Sequence, residues 1–449
     1  MKPNETSTSF CHASLTKKQK YALDTMIKGK NIFLTGPAGT GKTTIISLFK
    51  KMITTRIIGL TSLTGISAVL LGGCTLHSYL GIGLGTGSFE VLFERIKKNY
   101  KAKMKWLQTD ILIIDEISML SPQLFEKLNM LGKSIRQIDL PFGGIQLILC
   151  GDFLQLPVVR NSSFCFESKV WNECIDETVY LNEIVRQIDP EFQNILGNVR
   201  IGNITRDVKK FLNTRIVNDE NEENEEKEEN KNHIKPTRLY TTNKDVDAIN
   251  EVELYKLNDG VIDYFQYDLK IDFYVTQRNE SDYMQRIIKS CPVPSELIIC
   301  KGAQVMLMYN MDVECGLANG SRGIVVDFDN DLPIVEFLNG QKRKIEFHNW
   351  EIEDGKQKIL KITQIPLKLA WSLTVHKAQS CTLDLVEVDL NNVFEYGQAY
   401  VALSRVRTKE GLGILNINYE AIKAHPKAIK YYDDLIEKEK ESNKLKESK

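Results

Sequence analysis

"NIFLTGPAGTGKTT", residues 31–44, is the stretch on which the fold turns. An apolar run from Ile32 to Leu34 enters a turn built on Gly36, Pro37, Ala38, Gly39, Thr40 and Gly41. Lys42, Thr43 and Thr44 then open the next amphipathic segment. The spacing is G-x-x-x-x-G-K-[ST], set between a strand and a helix. Glycines let backbone N–H groups close around phosphate oxygens, and the helix N-terminus adds partial positive charge. Lys42 is placed to neutralise the β- and γ-phosphates, and the Thr43 hydroxyl to reach Mg2+. The loop predicts ATP and Mg2+ as cofactors.

Working outward, "RIIGLTS" (56–62), "DILIID" (110–115) and "GIQLILCG" (144–151) are near-continuous apolar runs separated by helical segments. Such runs mark buried parallel strands, so the predicted class is α/β with a doubly wound sheet over residues 1–180. In "ILIIDEISM" (111–119) the strand ends in two adjacent carboxylates. Asp115 is placed to hold Mg2+ through water, and Glu116 to orient and deprotonate an attacking water. That pair favours hydrolysis over transfer to a small acceptor. "CGDFLQLPVV" (150–159) offers Gln155 as a γ-phosphate contact, with a plain turn as the competing reading. Arg186 in "EIVRQ" and Arg405 in "AYVALSRVRT" are candidates to stabilise the transferring phosphoryl group, an effect worth about 10³–10⁵ in rate. Surface ion pairs are the alternative for both.

The remainder divides by pattern. Residues 181–257 and 363–434 read as a second α/β domain, interrupted by an acidic loop (218–233) and by short alternating strands over 258–362, a small all-β module. Residues 81–109 read as a basic insertion, either a wedge or an amphipathic helix with a solvated face, and 435–449 as a charged helix or tail. With 449 residues the chain suits two to four domains, and its 42% apolar content is ordinary for a globular protein. No stretch approaches the roughly 18 apolar residues of a membrane span. The N-terminal residues lack an apolar signal core and carry Glu5 but no Arg. The nine cysteines stand singly, as expected of buried thiols in a reducing compartment. Net charge is −1, but "DENEENEEKEE" (219–229) alone carries −7, which leaves the rest mildly basic. That balance permits a phosphate-backbone partner without requiring one.

The segments "LTKKQ", "GPAGTGKT", "TSLTGISAVLLGGCTLHSYLGIG", "DEISM", "GDFLQLPVV", "NEIVRQIDPEF", "KGAQVMLMYNM", "NGSRGIVVDF", "IPLKLAWSLTVHKAQSCTLD" and "GQAYVALSRVRTKEGL" occur in this order over residues 15 to about 418. In this the chain resembles the PIF-one family of superfamily-1 DNA helicases, relatives of RecD. The resemblance implies two RecA-like P-loop domains, a Src-homology-3-like barrel as the inserted module, and a wedge insertion. It implies an ATP-driven motor moving 5′→3′ on single-stranded DNA, engaging single-strand/duplex junctions and opening duplexes and G-quadruplexes. Carried over by position, it makes Gln19 the adenine reader, and Gly36 to Thr44 with Arg186 and Arg405 the nucleotide contacts. Thr43 and Asp115 become metal contacts, and Lys42, Glu116, Gln155, Arg186 and Arg405 the catalytic group. Thr64, Gly65 and His77 in one domain, and Thr374, His376 and Lys377 in the other, become strand contacts. Phe153 and Trp350 are aromatic candidates for base stacking, with a core position as the alternative.

Two departures from the family pattern stand out: one proline in "QLPVV", and Ser380 where glycine is usual. The expected location is the nucleus or a site of DNA replication, with the mitochondrion left open, and the expected state is a monomer in solution away from membranes. The rival readings are an RNA helicase or remodelling ATPase, and a DNA-binding switch without strand separation. A P-loop phosphotransferase is disfavoured by Glu116.

Overall fold

The computed structural model describes residues 15–447, apart from residue 84, segments 158–162, 218–233, 242–245, 258–262 and 274–290, residue 292, residues 313–314, 316, 318 and 355–356, and residue 380. The acidic run and Ser380 therefore lie outside the described residues.

Strands β1 (Ile32–Thr35), β2 (Ile58–Ser62), β3 (Cys74–Thr75), β4 (Ile111–Asp115), β5 (Gln146–Gly151) and β6 (Glu177–Tyr180) form one sheet in the order β3-β2-β4-β5-β1-β6. All pairings are parallel. The apolar runs are buried on both faces, as parallel strands between helical layers require. Every candidate site residue of this domain except Gln19 lies at or after the carboxyl end of a strand, where open α/β sheets bind ligands.

The basic insertion is two helices, Phe89–Lys98 and Tyr100–Gln108, broken at Asn99, whose side chain caps the second. Leu92, Ile96, Ala102 and Trp106 face the core, and the Trp106 indole donates to the Leu80 carbonyl at 3.1 Å. Lys97, Lys98, Lys101 and Lys103 are exposed. The amphipathic alternative describes these helices, a pair with a basic outer face.

Next come β7 (Thr237–Tyr240) and then β8 (Phe265–Asp268), β9 (Lys270–Phe273), β10 (Glu296–Ile299), β11 (Gln304–Leu307), β12 (Arg322–Asp329), β13 (Leu332–Phe337), β14 (Lys342–Lys344), β15 (His348–Asp354), β16 (Gln357–Gln364) and β17 (Leu367–Leu369). The strands from β8 to β17 make antiparallel sheets, β10-β8, β14-β13-β12-β11-β17 and β15-β16-β9. The module thus runs past residue 362: β17 pairs with β11, and Trp371 joins the module core. The chain returns at β18 (Ser372–Thr374), β19 (Val386–Leu390) and β20 (Leu412–Ile417), giving a second parallel sheet, β18-β7-β19-β20.

Two buried side chains fasten module to second sheet. The Gln304 amide donates to Lys235 O at 2.8 Å and Ala370 O at 3.0 Å and accepts from Lys235 N at 2.8 Å. Arg322 donates to Lys235 O at 2.6 Å and to the Thr237 hydroxyl at 3.2 Å.

The C-terminal segment differs from a plain tail. A helix begins at Pro426 and runs to Glu447. Tyr431 and Tyr432 in its second turn pack on the first domain, where Tyr431 stacks on Phe166 at 4.3 Å. Lys427 pairs with Glu167 and Glu439 with Lys18, each at 2.6 Å.

Candidate nucleotide site and strand-binding elements

The loop after β1 has the conformation its glycines predict. Gly39 and Gly41 have φ of +79° and +81°, the left-handed region closed to most side chains. Space excludes a side chain as well, because a Cβ on Gly39 would lie 2.6 Å from Arg186 Cβ. The Lys42 ammonium donates to Gly36 O at 2.7 Å and Pro37 O at 2.9 Å. Burial pulls its pKa down, while Asp152, Cys150, Glu116 and Asp115 hold it up. Thr43 and Thr44 are exposed along the cleft.

At the end of β4, Asp115 accepts from the Glu116 N–H at 2.9 Å. Burial raises the Asp115 pKa, and the Glu116 N–H, the Cys150 thiol and Lys42 oppose that rise. Glu116 has φ 56° and ψ 42°, a left-handed conformation costing a non-glycine residue about 1–2 kcal/mol. The kink puts Glu116 on the cleft wall beside Asp115. Strain kept at such a position is a mark of function.

The two arginines meet at this cleft. The Arg186 and Val185 N–H groups both donate to Gly39 O, at 3.2 and 2.8 Å. The Arg186 guanidinium donates to Ser404 O at 3.0 Å. Arg405 donates to Val401 O at 2.7 Å and the Ser404 hydroxyl at 2.8 Å. Burial lowers both pKa values, and Arg186, further repelled by Arg405, falls to about 9. Among the described residues neither guanidinium forms an ion pair with a carboxylate. Two such cations beside a phosphate loop suit a polyanion, because an uncompensated buried charge is otherwise strongly unfavourable.

Gln155 is 7% exposed and lines the same cleft, at the end of a turn closed by its N–H donating to Asp152 O at 3.0 Å. Gln19 is placed differently. Its amide caps its own helix through Thr16 and donates to Thr40 O at 2.9 Å, so it buttresses the phosphate loop from behind.

Sequence reasoning missed several residues. The Tyr400 hydroxyl, on the helix Gln398–Leu403 that ends just before Arg405, accepts the Ala38 N–H at 2.9 Å. The only signal was its place in "GQAYVALSR". Arg200 clamps Asp152 in a buried bidentate pair at 2.8 and 3.0 Å. From the inserted module, Tyr309, Asn310 and the His348–Trp350 stretch line the cleft.

The strand candidates stand apart from this cleft. Thr64 caps the helix Gly65–Leu70 by accepting from Ser67 N at 3.3 Å, and His77 lies on the short helix Leu76–Tyr79. His376 and Lys377 are half-buried after β18, with His376 Nε2 at 3.6 Å from Glu395. Thr374 is 3% exposed, and its hydroxyl accepts from Lys377 N at 3.2 Å in the turn.

Phe153 requires a correction. It is 1% exposed, packed among Phe33, Phe164, Phe166, Trp171 and Tyr431, and has no face for a base. Trp350, 7% exposed and edge-on to His348, takes the core alternative on all but its cleft-facing side.

The cleft of about 1450 Å³ is bounded by the phosphate loop, the Asp115–Glu116 pair, Gln155, Arg186 and Arg405. The donor set fits a magnesium nucleotide: cations and N–H groups for phosphates, with Thr43 and Asp115 for a hard cation that keeps waters and phosphate oxygens as its other ligands. Two parallel sheets sharing a phosphate-binding cleft, with Arg405 from the second and Arg186 bridging the phosphate loop to Ser404, define a two-lobed P-loop nucleoside triphosphatase.

Comparison with known proteins makes this specific. The PIF1-like helicase family matches residues 14–210, and the 2B domain of DNA helicase Pif1 matches residues 282–328, inside the β module. An uncharacterized protein, 030L, of Invertebrate iridescent virus 6 is 39% identical over 94% of both chains. The crystal structure of Pif1 helicase from Candida albicans is 36% identical, covers 94% of this chain and 99% of its own, and has a TM-score of 0.70. A Bacteroides Pif1 helicase in complex with ADP-AlF3 and ssDNA is 29% identical, covers 95% and 98%, and has a TM-score of 0.60. This chain belongs to the PIF1-like helicase family. It spans 63% to 64% of the length of the curated vertebrate PIF1 helicases it matches. Among the described residues no helix is long and apolar enough to cross a membrane.

Proposed function

We propose that this protein is an ATP-dependent DNA helicase that moves 5′→3′ on single-stranded DNA and opens duplex and G-quadruplex DNA from single-strand/duplex junctions. The observation that carries the reading is the pair Arg186 and Arg405, held on the second lobe's Ser404 turn beside the first lobe's phosphate loop. Hydrolysis needs charge on the transferring phosphoryl group to be stabilised from both sides. A site assembled from two lobes therefore couples turnover to their approach.

Bound magnesium and ATP supply the electrophilic phosphorus and neutralise its oxygens. The chain's own residues do the rest: Lys42 binds phosphate, Glu116 accepts the proton of the attacking water, and Gln155 orients that water. Arg186 and Arg405 stabilise the developing charge. The β2 and β3 ends with His77, and the β18 end with His376 and Lys377, are the strand contacts of the two lobes. Single-stranded DNA in the Bacteroides relative supports DNA as the track. We place its work at sites of DNA replication, the nucleus before the mitochondrion, and its solution state as a monomer.

The test is unwinding of duplexes with a 5′ or a 3′ single-stranded tail, with ATPase stimulation measured on DNA and on RNA. Unwinding from the 5′ tail alone, lost in Lys42→Ala, is expected. Unwinding from the 3′ tail alone overturns the polarity, preference for RNA overturns the track, and turnover without strand separation reduces the protein to a switch.

A further inference from the structure

Behind the phosphate loop lies a buried network that the catalytic reading does not use. The Thr35 hydroxyl, at the last residue of β1, donates to Gly151 O at 2.9 Å. Its single proton is thereby committed, so the Tyr432 hydroxyl 2.6 Å away is the donor between those two groups. That phenolic oxygen in turn accepts the Phe153 N–H at 3.1 Å. The order of protons is fixed: Phe153 N–H to Tyr432, Tyr432 O–H to Thr35, Thr35 O–H to Gly151. Burial holds the Tyr432 hydroxyl protonated well above its ordinary range.

The residues this chain ties together are all attached to the nucleotide site. Thr35 immediately precedes Gly36, whose carbonyl receives Lys42. Phe153 lies inside the turn that starts at Asp152 and ends at Gln155. Asp152 is held by Arg200, whose guanidinium also lies 4.7 Å over the Tyr432 ring. The Leu154 N–H donates to the same carboxylate at 3.1 Å. One side chain from the C-terminal helix thus joins the root of the phosphate loop to the middle of the Gln155 turn. A packing role alone would need the ring but not the hydroxyl.

We propose that Tyr432 is a positioning residue for hydrolysis: through Phe153 and Thr35 its hydroxyl sets the Gln155 turn against the phosphate loop. The Pro426–Glu447 helix is then a strap across the back of the first lobe, and its docking is a condition for turnover. The inference rests on the assignment of Gln155 to the γ-phosphate made above.

The experiment uses the full chain with Tyr432→Phe, which keeps the ring under Arg200, and Thr35→Val, which removes the acceptor at the other end. Each is measured alone and combined with Gln155→Ala, for DNA-stimulated kcat, KM for ATP and thermal midpoint. Tyr432→Phe and Thr35→Val are each expected to lower kcat about tenfold with KM within about twofold of wild type. In the Gln155→Ala background neither should lower kcat further, because the turn then presents nothing to position. A Tyr432→Phe protein with a lowered thermal midpoint but wild-type kcat overturns the inference, as does a loss that multiplies with that of Gln155→Ala. A silent Gln155→Ala overturns the Gln155 assignment and this inference with it. A silent Tyr432→Phe beside an impaired Gln155→Ala overturns this inference alone.

Discussion

Arg186 spans the cleft in a single residue: its backbone N–H donates to Gly39 O of the phosphate loop and its guanidinium to Ser404 O beside Arg405. A side-chain substitution there keeps the backbone bond to the loop and removes both the contact with Ser404 and the charge facing the phosphates. Arg186→Ala and Arg405→Ala are each expected to lower DNA-stimulated kcat by about 10³-fold or more while nucleotide still binds. Lysine at either position should not restore turnover, since a point charge does not reproduce a forked donor. Single-turnover hydrolysis with equilibrium nucleotide titration reads both.

Glu116 separates chemistry from binding. Glu116→Gln keeps the shape of the side chain and removes the base, so kcat should drop by about 10²–10⁴ while ATP affinity persists. Binding lost together with turnover would mean that the kinked backbone, rather than the carboxylate, is what matters there.

Phe153 gives the opposite signature. Removing a ring from the cluster of Phe33, Phe164, Trp171 and Tyr431 should destabilise the first lobe by about 3–5 kcal/mol. Affinity of the protein that remains folded for single-stranded DNA should not change. Denaturant unfolding alongside DNA titration at low temperature checks the pair.

The contrast between Phe153 and Lys42 shows where sequence reading succeeds. The phosphate loop, the Asp115–Glu116 step and the parallel strands that carry them are local patterns, fixed by glycine geometry and by apolar runs of strand length. Phe153 follows a strand in a polar turn, and nothing nearby says which way it faces. Its inward position is imposed by residues distant in sequence, Trp171 and Tyr431 among them. Asp152, Arg200 and Tyr432 escaped notice for the same reason, because their partners lie in other elements, Arg200 48 residues beyond Asp152 and Tyr432 279 beyond Phe153. The Tyr431–Tyr432 anchor was further hidden by the charged sequence that follows it. The module's end was misplaced because "PLKLAWSLT" reads as one apolar run, yet Leu367–Leu369 pairs with β11 and Ser372–Thr374 with β7.

The Asp152–Arg200 pair should be costly to halve. Both side chains are buried and joined through two hydrogen bonds, so Arg200→Ala leaves a carboxylate without its partner. A loss of about 3–5 kcal/mol is expected, and the double variant Asp152→Ala with Arg200→Ala should lose less than the sum of the two single changes. Chemical denaturation of all three measures this.

Lys377 tests the track. If it meets a phosphate, Lys377→Ala should weaken single-stranded DNA binding for every sequence and reduce the slope of log affinity against log salt by about 0.7. Fluorescence anisotropy over a salt series gives the slope directly.

Gln304 and Arg322 have a mechanical consequence. Bonded to the Lys235–Thr237 segment and Ala370, they make the β module and the second parallel sheet one stiff arm. Tyr309 and Asn310 belong to that arm, so one wall of the cleft is built by the module and the other by the first lobe. The Pro426–Glu447 helix carries the chain from that arm back onto the first lobe, so the two are tied through Tyr432 and Lys427 at the rear as well as through Arg186 across the cleft.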